Sequence, residues 1–406
     1  MKPSEVSRRR RICVLSPSIV GKPAGAVSVA AWIVQALCED FDVTLATPAQ
    51  DAALVDLDYL YGTSLAEQSV GLLRIPVPRW LNRLSPSALK SIRLAHAVRA
   101  FRPLAHAFDL TIAAVNEVQI PAPNIQYMHC PVRHPQAIRR LYSPPASWCR
   151  LANHYIFRSI MPGGVGRTDC NARYLANSGW TATLFLEVYG LRPKVVYPPV
   201  VLAPGVPSLP FSQREPAFVC VGQFRADKAF EEAIALVDEL RSRYQHMCLH
   251  IVGNGSGSYA SHLRRLARVR KHVIVHESMS RRELTRLLCS SRYGLHFRRN
   301  EHFGMAPAEM VAAGMLTFVH NSGGQREIVG HRGELLFEDV RDALTKVTNM
   351  LEHPERQEAV LDALKPLALR LGAARFQAEI REEVSDMLGD VINIPGHRER
   401  LDGPAA

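Results

Sequence analysis

Short apolar runs alternate with amphipathic stretches along most of the chain. The strand-like runs are apolar throughout rather than alternately apolar and polar, which is typical of a parallel sheet covered on both faces. In the first half these runs are ICVLSP, DVTLAT, LLRIPV, DLTIAA, NIQYMH, RYLANS and KVVYPPV. Stretches with helical spacing lie between them, near 26–38, 87–102 and 180–189.

The alternation stops near residue 198, where PPVVLAPGVPSLPFSQREP carries six prolines and no helical period. Such a segment is typical of a connection between domains. The alternation then restarts with AFVCVG and continues beyond LTFVH. We therefore predict an α/β protein of two doubly wound, Rossmann-like domains, 1–200 and 201–406, with the last helices packing back on the first domain. A ligand is expected in a cleft at the carboxyl ends of the strands.

The composition is that of a globular protein, and the excess of basic residues favours anionic partners. The 406 residues are 47% hydrophobic and 21% charged, and 49 basic against 38 acidic residues give a formal charge of +11. A basic balance favours phosphorylated ligands, acidic membrane surfaces or nucleic acid. The eight cysteines are scattered, with no CxxC and no Cys/His cluster. We expect reduced thiols in the cytoplasm rather than a zinc site or a disulfide framework.

The start of the chain, SRRRRICVLSPSIVG, combines basic residues with a short apolar part that Ser and Pro interrupt. We interpret it as a solvated basic tail that enters the first strand rather than as a signal peptide. No uninterrupted apolar run approaches the ~20 residues needed to span a bilayer.

Residues 301–315, EHFGMAPAEMVAAGM, place Glu301 and Glu309 around a break in helical pattern. Pro307 suits the first position of a helix, which would put Glu309 in the first turn and Glu301 on the preceding loop. A helix start has unpaired N–H groups and attracts anions. The alternative is that Glu309 only complements the helix dipole and that Glu301 is a surface residue.

Three other loops follow predicted strands and carry glycine or basic residues. Glycine lets bare backbone approach a phosphate, and two cations beside a strand–helix turn suit a diphosphate. Each loop alone is equally compatible with a tight turn or with solvated surface cations. The residues concerned are Gly222 with Arg225 and Lys228, Gly253 with Asn254, and Gly323 with Gly324.

Taken in order, GQFRADK, VGNGSG, EHFGMAPAEMVAAG and HNSGGQREIV resemble the donor half of the retaining GT-B glycosyltransferases of family 4, over about 110 residues. The resemblance implies that Glu309 accepts hydrogen bonds from the ribose of a nucleotide sugar and that Glu301 binds the sugar. It also implies that Arg225 and Lys228 take the diphosphate. The other positions that it assigns to donor binding are Gly25, Gly222, Gly253, Asn254, Phe303, Gly304, Met305, Gly323 and Gly324.

Within that family the sequence is most similar to the mannosyltransferases that extend lipid-linked oligosaccharide. The shared motifs include QFR-x-x-K, NEHFG, HNSGG and, in the first half, YMHCP, ANSGWT and YPPV. This implies a GDP-mannose donor, a polyprenyl-linked glycan or polysaccharide acceptor, and no metal or other cofactor. It also places His129 at the point of sugar transfer. The sequence departs from the family where GKPAGA separates Gly21 from Gly25 and in showing no membrane anchor.

Four alternatives stay open at this stage. A UDP-sugar transferase or a nucleotide-sugar isomerase of the same fold would share the architecture, and a glycosidase would also use two carboxylates. A nucleic-acid binder would explain the charge, but the sequence has no helix-turn-helix, zinc finger or aromatic-laced basic patch. Apart from these four, the pair Asp56 and Asp58 is a candidate for a metal site.

One basic amphipathic segment, residues 85–103, has two interpretations. It is either an ordinary surface helix packed on a sheet or a helix that lies on an anionic membrane. The second interpretation predicts peripheral contact with the cytoplasmic face of a membrane.

Overall fold

The computed structural model describes residues 9–17, 24–82, 89–121, 123–161 and 171–389, so Gly21 lies outside the described residues. The chain divides into two compact units. The first contains Met1–Asn177, Thr181–Pro199 and Ala373–Ala406, and the second contains Ser178–Trp180 and Val200–Gly372.

The described part of the first unit holds a parallel sheet of seven strands in the order β3-β2-β1-β4-β5-β6-β7. The strands are β1 Arg11–Leu15, β2 Asp42–Thr47, β3 Gly71–Arg74, β4 Leu110–Ala113, β5 Asn124–Met128, β6 Ala172–Ala176 and β7 Lys194–Val195. The helices are α1 Gly25–Leu37, α2 Leu54–Tyr61, α3 Arg79–Asn82, α4 Lys90–Phe101, α5 Pro135–Leu141, α6 Ala146–Ile160 and α7 Gly179–Tyr189.

The central strands of this sheet are buried on both faces, as their continuous apolar sequences predict. All residues of β4 and β5 are buried. Tyr127 of β5 is fully buried, and its hydroxyl donates a hydrogen bond to the carbonyl of Val196 at 2.6 Å. The helix α15, Ala373–Leu388, also belongs to this unit, where Arg381 donates to the carbonyl of Ala36 at 2.7 Å.

The second unit has a parallel sheet of six strands among its described residues, in the order β10-β9-β8-β11-β12-β13. The strands are β8 Glu215–Val221, β9 Cys248–Gly253, β10 Val273–Glu277, β11 Ser291–His296, β12 Leu316–His320 and β13 Leu336–Phe337. The helices are α8 Phe230–Leu240, α9 Ser258–Arg268, α10 Arg281–Ser290, α11 Met305–Ala312, α12 Gln325–Ile328, α13 Val340–Glu352 and α14 Pro354–Arg370.

Both sheets confirm the predicted parallel, doubly wound α/β architecture. In each sheet the strand order reverses once, between β1 and β4 in the first unit and between β8 and β11 in the second. At that point, the loops that follow the two neighbouring strands run in opposite directions. The crevice between such loops is where open α/β sheets bind ligands.

The basic segment near residues 90–101 forms α4, whose apolar side is part of the core of the first unit. Ala95, Val98 and Phe101 are fully buried. This supports the interpretation as an ordinary helix packed on the sheet. Residues 83–88 lie outside the described part. Among the described residues, no helix combines the length and apolar character required to cross a bilayer.

Candidate active site

The strand reversal in the second unit brings together two of the residues singled out in the sequence. Lys228 lies in the loop after β8, and Glu301 lies in the loop after β11. The Lys228 ammonium is 2.9 Å from the Glu301 carboxylate. These are the two loops that diverge at the reversal, so the geometry supports a binding site there.

Gly222 lies directly beneath the Lys228 side chain. A Cβ atom at Gly222 would lie 3.3 Å from the aliphatic stem of Lys228, so glycine gives this side chain room. Two strained residues flank the pair, because Ala229 follows Lys228 with φ 51° and Asn300 precedes Glu301 with φ 52°. Non-glycine residues in this left-handed region cluster at functional sites, where the surrounding structure holds them.

Glu301 is a buried carboxylate surrounded by basic groups. Arg298 donates to both carboxylate oxygens at 2.9 Å, and the His296 imidazole lies 3.4 Å away. Burial alone raises the pKa of Glu301, but the hydrogen bond from His296 and the charges of Lys228 and Arg298 together lower the pKa well below its usual value. Glu301 is therefore a fixed negative charge at neutral pH. The sequence motifs did not single out His296 or Arg298; their positions at and just after the end of β11 were the available signal.

Arg225 does not join this cluster, although the sequence placed it beside Lys228. Its side chain is half exposed and forms an ion pair with Asp227 at 2.9 Å. Asp227 also lies 3.4 Å from Arg298. The structure therefore separates the two predicted phosphate ligands into an enclosed Lys228 and an exposed Arg225.

The glycine pair after β12 supports the loop that carries Glu301. A Cβ atom at Gly323, where φ is +75°, would lie 2.2 Å from the backbone oxygen of Glu301, and one at Gly324 would lie 2.2 Å from that of His302. The Gly324 amide donates to the carbonyl of Glu301 at 2.8 Å. These contacts give Gly323 and Gly324 a structural reason to be glycine in addition to the predicted role in donor binding.

The loop after β9 has a similar supporting role. A Cβ atom at Gly253 would lie 1.9 Å from the carbonyl oxygen of Gly222, so these two strand ends pack backbone against backbone. Asn254 accepts a hydrogen bond from the amide of Ser278 at 2.8 Å, and its own carbonyl accepts one from Phe224 at 2.9 Å. Gly253 and Asn254 thereby fix the position of the Lys228 loop.

The second glutamate of the motif lies in α11, two residues further from the helix start than expected. The helix begins at Met305 after Gly304, whose φ is +107°, so Pro307 is its third residue and Glu309 lies in the second turn. The prediction that Pro307 starts the helix was wrong because proline is tolerated anywhere in a first turn, where its missing N–H has no helical partner. The neighbouring Phe303 is buried.

Glu309 is largely enclosed, with a basic side chain beside its carboxylate. Arg281, the first residue of α10, lies 3.6 Å from its carboxylate. Burial raises the pKa of Glu309, and the charge and hydrogen bond of Arg281 oppose that effect. Glu301 and Glu309 therefore differ electrostatically, since Glu301 is held strongly as an anion and Glu309 less so.

In the first unit, His129 directly follows β5. Its side chain lies beside the end of the neighbouring strand β4. Its Nε2 is 3.2 Å from the carbonyl oxygen of Ala114, and its backbone amide donates to the side chain of Asn116 at 2.7 Å. Burial lowers the pKa of His129 to about 4, although the bond to Ala114 has the opposite effect. The imidazole is therefore neutral at pH 7. Because a carbonyl only accepts, Nε2 carries the proton, which leaves Nδ1 as a hydrogen-bond acceptor.

A second buried carboxylate lies on the same edge of this sheet and was not predicted. Glu117 accepts a hydrogen bond from the hydroxyl of Tyr189 at 3.1 Å, and Arg133 lies 4.0 Å from its other oxygen. Burial raises the pKa of Glu117, while the charge of Arg133 opposes the shift. Gly25, the remaining predicted residue of this unit, is the exposed first residue of α1.

One member of the pair Asp56 and Asp58 has a structural role. Both residues lie in α2. The Asp58 carboxylate accepts hydrogen bonds from the Thr63 hydroxyl at 2.6 Å and from the amides of Leu65 and Ala66 at 2.7 and 2.8 Å. Asp58 therefore stabilises the loop that follows the helix.

Part of the chain matches a known protein family. Residues 206–363 match the family "Glycosyl transferases group 1". The human GDP-Man:Man(3)GlcNAc(2)-PP-Dol alpha-1,2-mannosyltransferase is 29% identical over 213 residues, which are 48% of this chain and 42% of the human protein. The enzyme of the same name from Xenopus laevis is 26% identical over 258 residues, 58% of this chain and 52% of the relative. The chain thus matches about half the length of these curated relatives.

Solved structures share the fold of nearly the whole chain. WaaG, a glycosyltransferase involved in lipopolysaccharide biosynthesis, superposes with a TM-score of 0.66 at 12% identity, over 93% of this chain and all of that one. Anabaena HepE, crystallised in complex with UDP-glucose, gives a TM-score of 0.64 at 16% identity over 93% of this chain and all of HepE. At such identities the likeness establishes the shared fold.

Proposed function

We propose that the chain transfers a sugar from a nucleotide-sugar donor held by its second unit. The match of residues 206–363 to the group 1 glycosyl transferases and the fold shared with WaaG support this proposal. The observation that carries this proposal is the buried Glu301 with Lys228, Arg298 and His296 around it at the strand reversal. A carboxylate can accept hydrogen bonds from sugar hydroxyls, while the surrounding cations suit a diphosphate.

The arrangement lets Lys228 exchange partners without leaving Glu301 unpaired. When a diphosphate binds, the flexible Lys228 side chain turns toward it, and Glu301 keeps its hydrogen bonds to Arg298 and His296. An unpaired buried carboxylate would be costly, so the additional partners make the exchange favourable. Glu309, in α11, is left to accept hydrogen bonds from the ribose hydroxyls.

We propose a retaining transfer that needs no covalent intermediate and no metal ion. The acceptor hydroxyl oxygen bonds to the anomeric carbon on the face from which the diphosphate departs. The bond between that carbon and the diphosphate oxygen breaks, its electron pair stays on the phosphate, and the leaving oxygen takes the hydroxyl proton. Lys228 stabilises the negative charge that develops on the diphosphate, and such preorganised electrostatics often dominates catalysis. In the first unit, neutral His129 offers Nδ1 to hold a hydroxyl group.

The donor and acceptor that we propose are GDP-mannose and a polyprenyl-linked glycan. The similarity to the GDP-mannose-dependent enzymes supports this choice, and it spans residues of both halves of the chain in the Xenopus laevis relative. The second candidate is a UDP-sugar donor, which the shared fold with the UDP-glucose complex of HepE favours.

We expect GDP-mannose to be bound at least tenfold more tightly than UDP-glucose, UDP-N-acetylglucosamine or GDP-glucose. A thermal-shift screen of these nucleotide sugars measures this directly, since a ligand at 100 times its dissociation constant stabilises a protein by about 2.7 kcal/mol. Transfer to a synthetic polyprenyl-diphosphate glycan then tests the acceptor. Stabilisation by a UDP-sugar alone would replace the proposed donor, and conversion of donor without acceptor would indicate an isomerase.

We further propose peripheral contact with the cytoplasmic face of a membrane through α6 rather than α4. Trp148, Tyr155 and Ile156 are 66%, 57% and 41% exposed. Their helical spacing puts them on one face, and the opposite side of α6 is buried through His154 and Phe157. Large exposed aromatic residues beside basic ones are typical of helices that lie in a membrane interface. The exposed arginines nearby are Arg139, Arg150 and Arg158.

Replacing Trp148 with Ala should weaken binding to anionic vesicles by about tenfold, because burying a large apolar side chain is worth roughly 1.5–3 kcal/mol. Sedimentation with phosphatidylserine-containing vesicles measures the partition coefficient, and high salt should release the wild-type protein. Leu369→Ala, which removes a side chain that is 79% exposed on α14 of the second unit, is the matched control. Equal binding of wild type and both variants would contradict a role for α6.

A further inference from the structure

A second cluster of chemically reactive side chains lies at the opposite end of the second sheet from Lys228 and Glu301. Glu215 is the first residue of β8, and Cys248 and His250 are the first and third residues of β9. Ala217 pairs with Cys248 in the strand register, so Glu215, two residues earlier, lies on the same face. Parallel pairing therefore places a carboxylate, a thiol and an imidazole side by side.

The distances between these groups match the edges of a tetrahedral metal site. The Cys248 sulfur is 3.5 Å from a Glu215 carboxylate oxygen and 3.6 Å from His250 Nε2, and all three ligand atoms lie within 4.8 Å of one another. A Zn–S bond of about 2.3 Å and a Zn–N or Zn–O bond of about 2.0–2.1 Å at a tetrahedral angle give ligand separations of roughly 3.5 Å. Two of the three edges have that length before any ion is bound.

His276 of β10 fixes the orientation that such a site requires. Its Nε2 lies 2.8 Å from Nδ1 of His250, and the two ring planes differ by only 18°. A proton on His250 Nδ1 donated to His276 leaves His250 Nε2 as the free base facing Cys248. A hydrogen bond to the second ring nitrogen is the usual support for a metal-binding histidine.

The cluster is partly open to solvent, so an ion can reach it. His250 is buried and Cys248 is partly buried, whereas Glu215 is exposed. With a thiolate, a carboxylate and a neutral imidazole, a divalent ion is charge-neutralised and keeps one open position for water. Mixed sulfur, nitrogen and oxygen ligands favour zinc among the common cellular ions.

We propose that Glu215, Cys248 and His250 bind one zinc-class transition-metal ion that links β8 to β9. This departs from the expectation of no zinc site, which rested on the absence of clustered cysteine and histidine in the sequence. Seven-residue β8 separates Glu215 from the Lys228 loop by about 20 Å, at 3.3 Å per residue. The ion is therefore structural and takes no part in sugar transfer.

Titration of tag-free, metal-stripped protein with Co²⁺ tests the proposal. We expect one equivalent to produce a thiolate-to-cobalt charge-transfer band, Zn²⁺ to displace it, and Zn²⁺ to raise the melting temperature. Cys248→Ser should abolish the band, and Glu215→Gln, at an exposed position that folding tolerates, should weaken Co²⁺ binding at least tenfold. His276→Ala should weaken it by about 10- to 100-fold.

Cys149→Ser is the matched control, because Cys149 is an exposed thiol in the first unit and should leave the band unchanged. Absence of the band in wild type, or equal Co²⁺ affinity of wild type and Glu215→Gln, would overturn the proposal and leave a hydrogen-bonded cluster. Donor binding is measured separately by calorimetry on the same metal-free protein, so failure here is distinguishable from failure of the proposed transferase function.

Discussion

Replacing Lys228 with alanine is expected to lower the rate of sugar transfer by roughly 100- to 1000-fold. The ammonium lies 2.9 Å from Glu301 at the strand reversal and is the enclosed cation that can turn to a leaving diphosphate. Removal of one preorganised donor from a developing negative charge typically costs a factor of this size. Single-turnover measurements with saturating donor isolate the chemical step.

Arg225→Ala is the matched control for that variant, because it removes another cation from the same loop. Arg225 is exposed and paired with Asp227. Because an exposed ion pair contributes at most about 1 kcal/mol, we expect Arg225→Ala to lower the transfer rate by no more than roughly fivefold. Wild-type turnover in Lys228→Ala would refute the role of Lys228. An equally large loss in Arg225→Ala would show that Arg225 moves to the diphosphate when the donor binds.

The loss of activity in Lys228→Ala is expected without unfolding. Glu301 keeps Arg298 and His296 as partners, so the buried carboxylate is not stranded. Loss of one charge-assisted bond should lower the free energy of unfolding by about 1.5–3 kcal/mol. Urea denaturation of both variants checks this, and an unfolded Lys228→Ala would be replaced by Lys228→Met, which keeps the aliphatic stem over Gly222.

The sequence was sufficient to predict features that depend on neighbours along the chain. Continuous apolar runs predicted the parallel strands, and the glycine and lysine after β8 marked the loop that carries Lys228. The two glutamates were recognisable by their spacing. In each case the signal lies within one strand–loop–helix segment, where periodicity and turn chemistry act locally.

Features that depend on register between distant strands could not be predicted in this way. Arg298 and His296 are unremarkable in sequence, and they surround Glu301 only because the β11 loop folds back at the end of the strand. Glu215 and Cys248 are 33 positions apart and meet only through the pairing of β8 with β9. Side-chain contacts between strands depend on how the strands pair in the folded protein. The hydrophobic pattern within one segment carries no information about that pairing.

The two glutamates are expected to respond differently to the same substitution. Glu301→Gln should reduce turnover by about 100-fold or more, because the sugar loses a charged acceptor that holds it in line for attack. Its affinity for free GDP should be no weaker than that of wild type, since the change removes a negative charge from beside Lys228 and Arg298. Glu309→Gln should instead weaken GDP binding by about 1.5–3 kcal/mol, roughly 10- to 150-fold, by removing a charge-assisted bond to the ribose.

Calorimetry with GDP at pH 8, beside single-turnover rates, measures both effects. Burial raises the pKa of Glu309, so an alkaline pH favours the ionised wild-type carboxylate in the comparison. Glu277→Gln is the matched control, because Glu277 is an exposed carboxylate of the same unit paired with Arg264. Equal GDP affinity in wild type and Glu309→Gln would exclude the ribose role. If Glu301→Gln weakened GDP binding most, the roles of the two glutamates would be reversed, and Glu301 would hold the nucleotide from inside its cluster of cations.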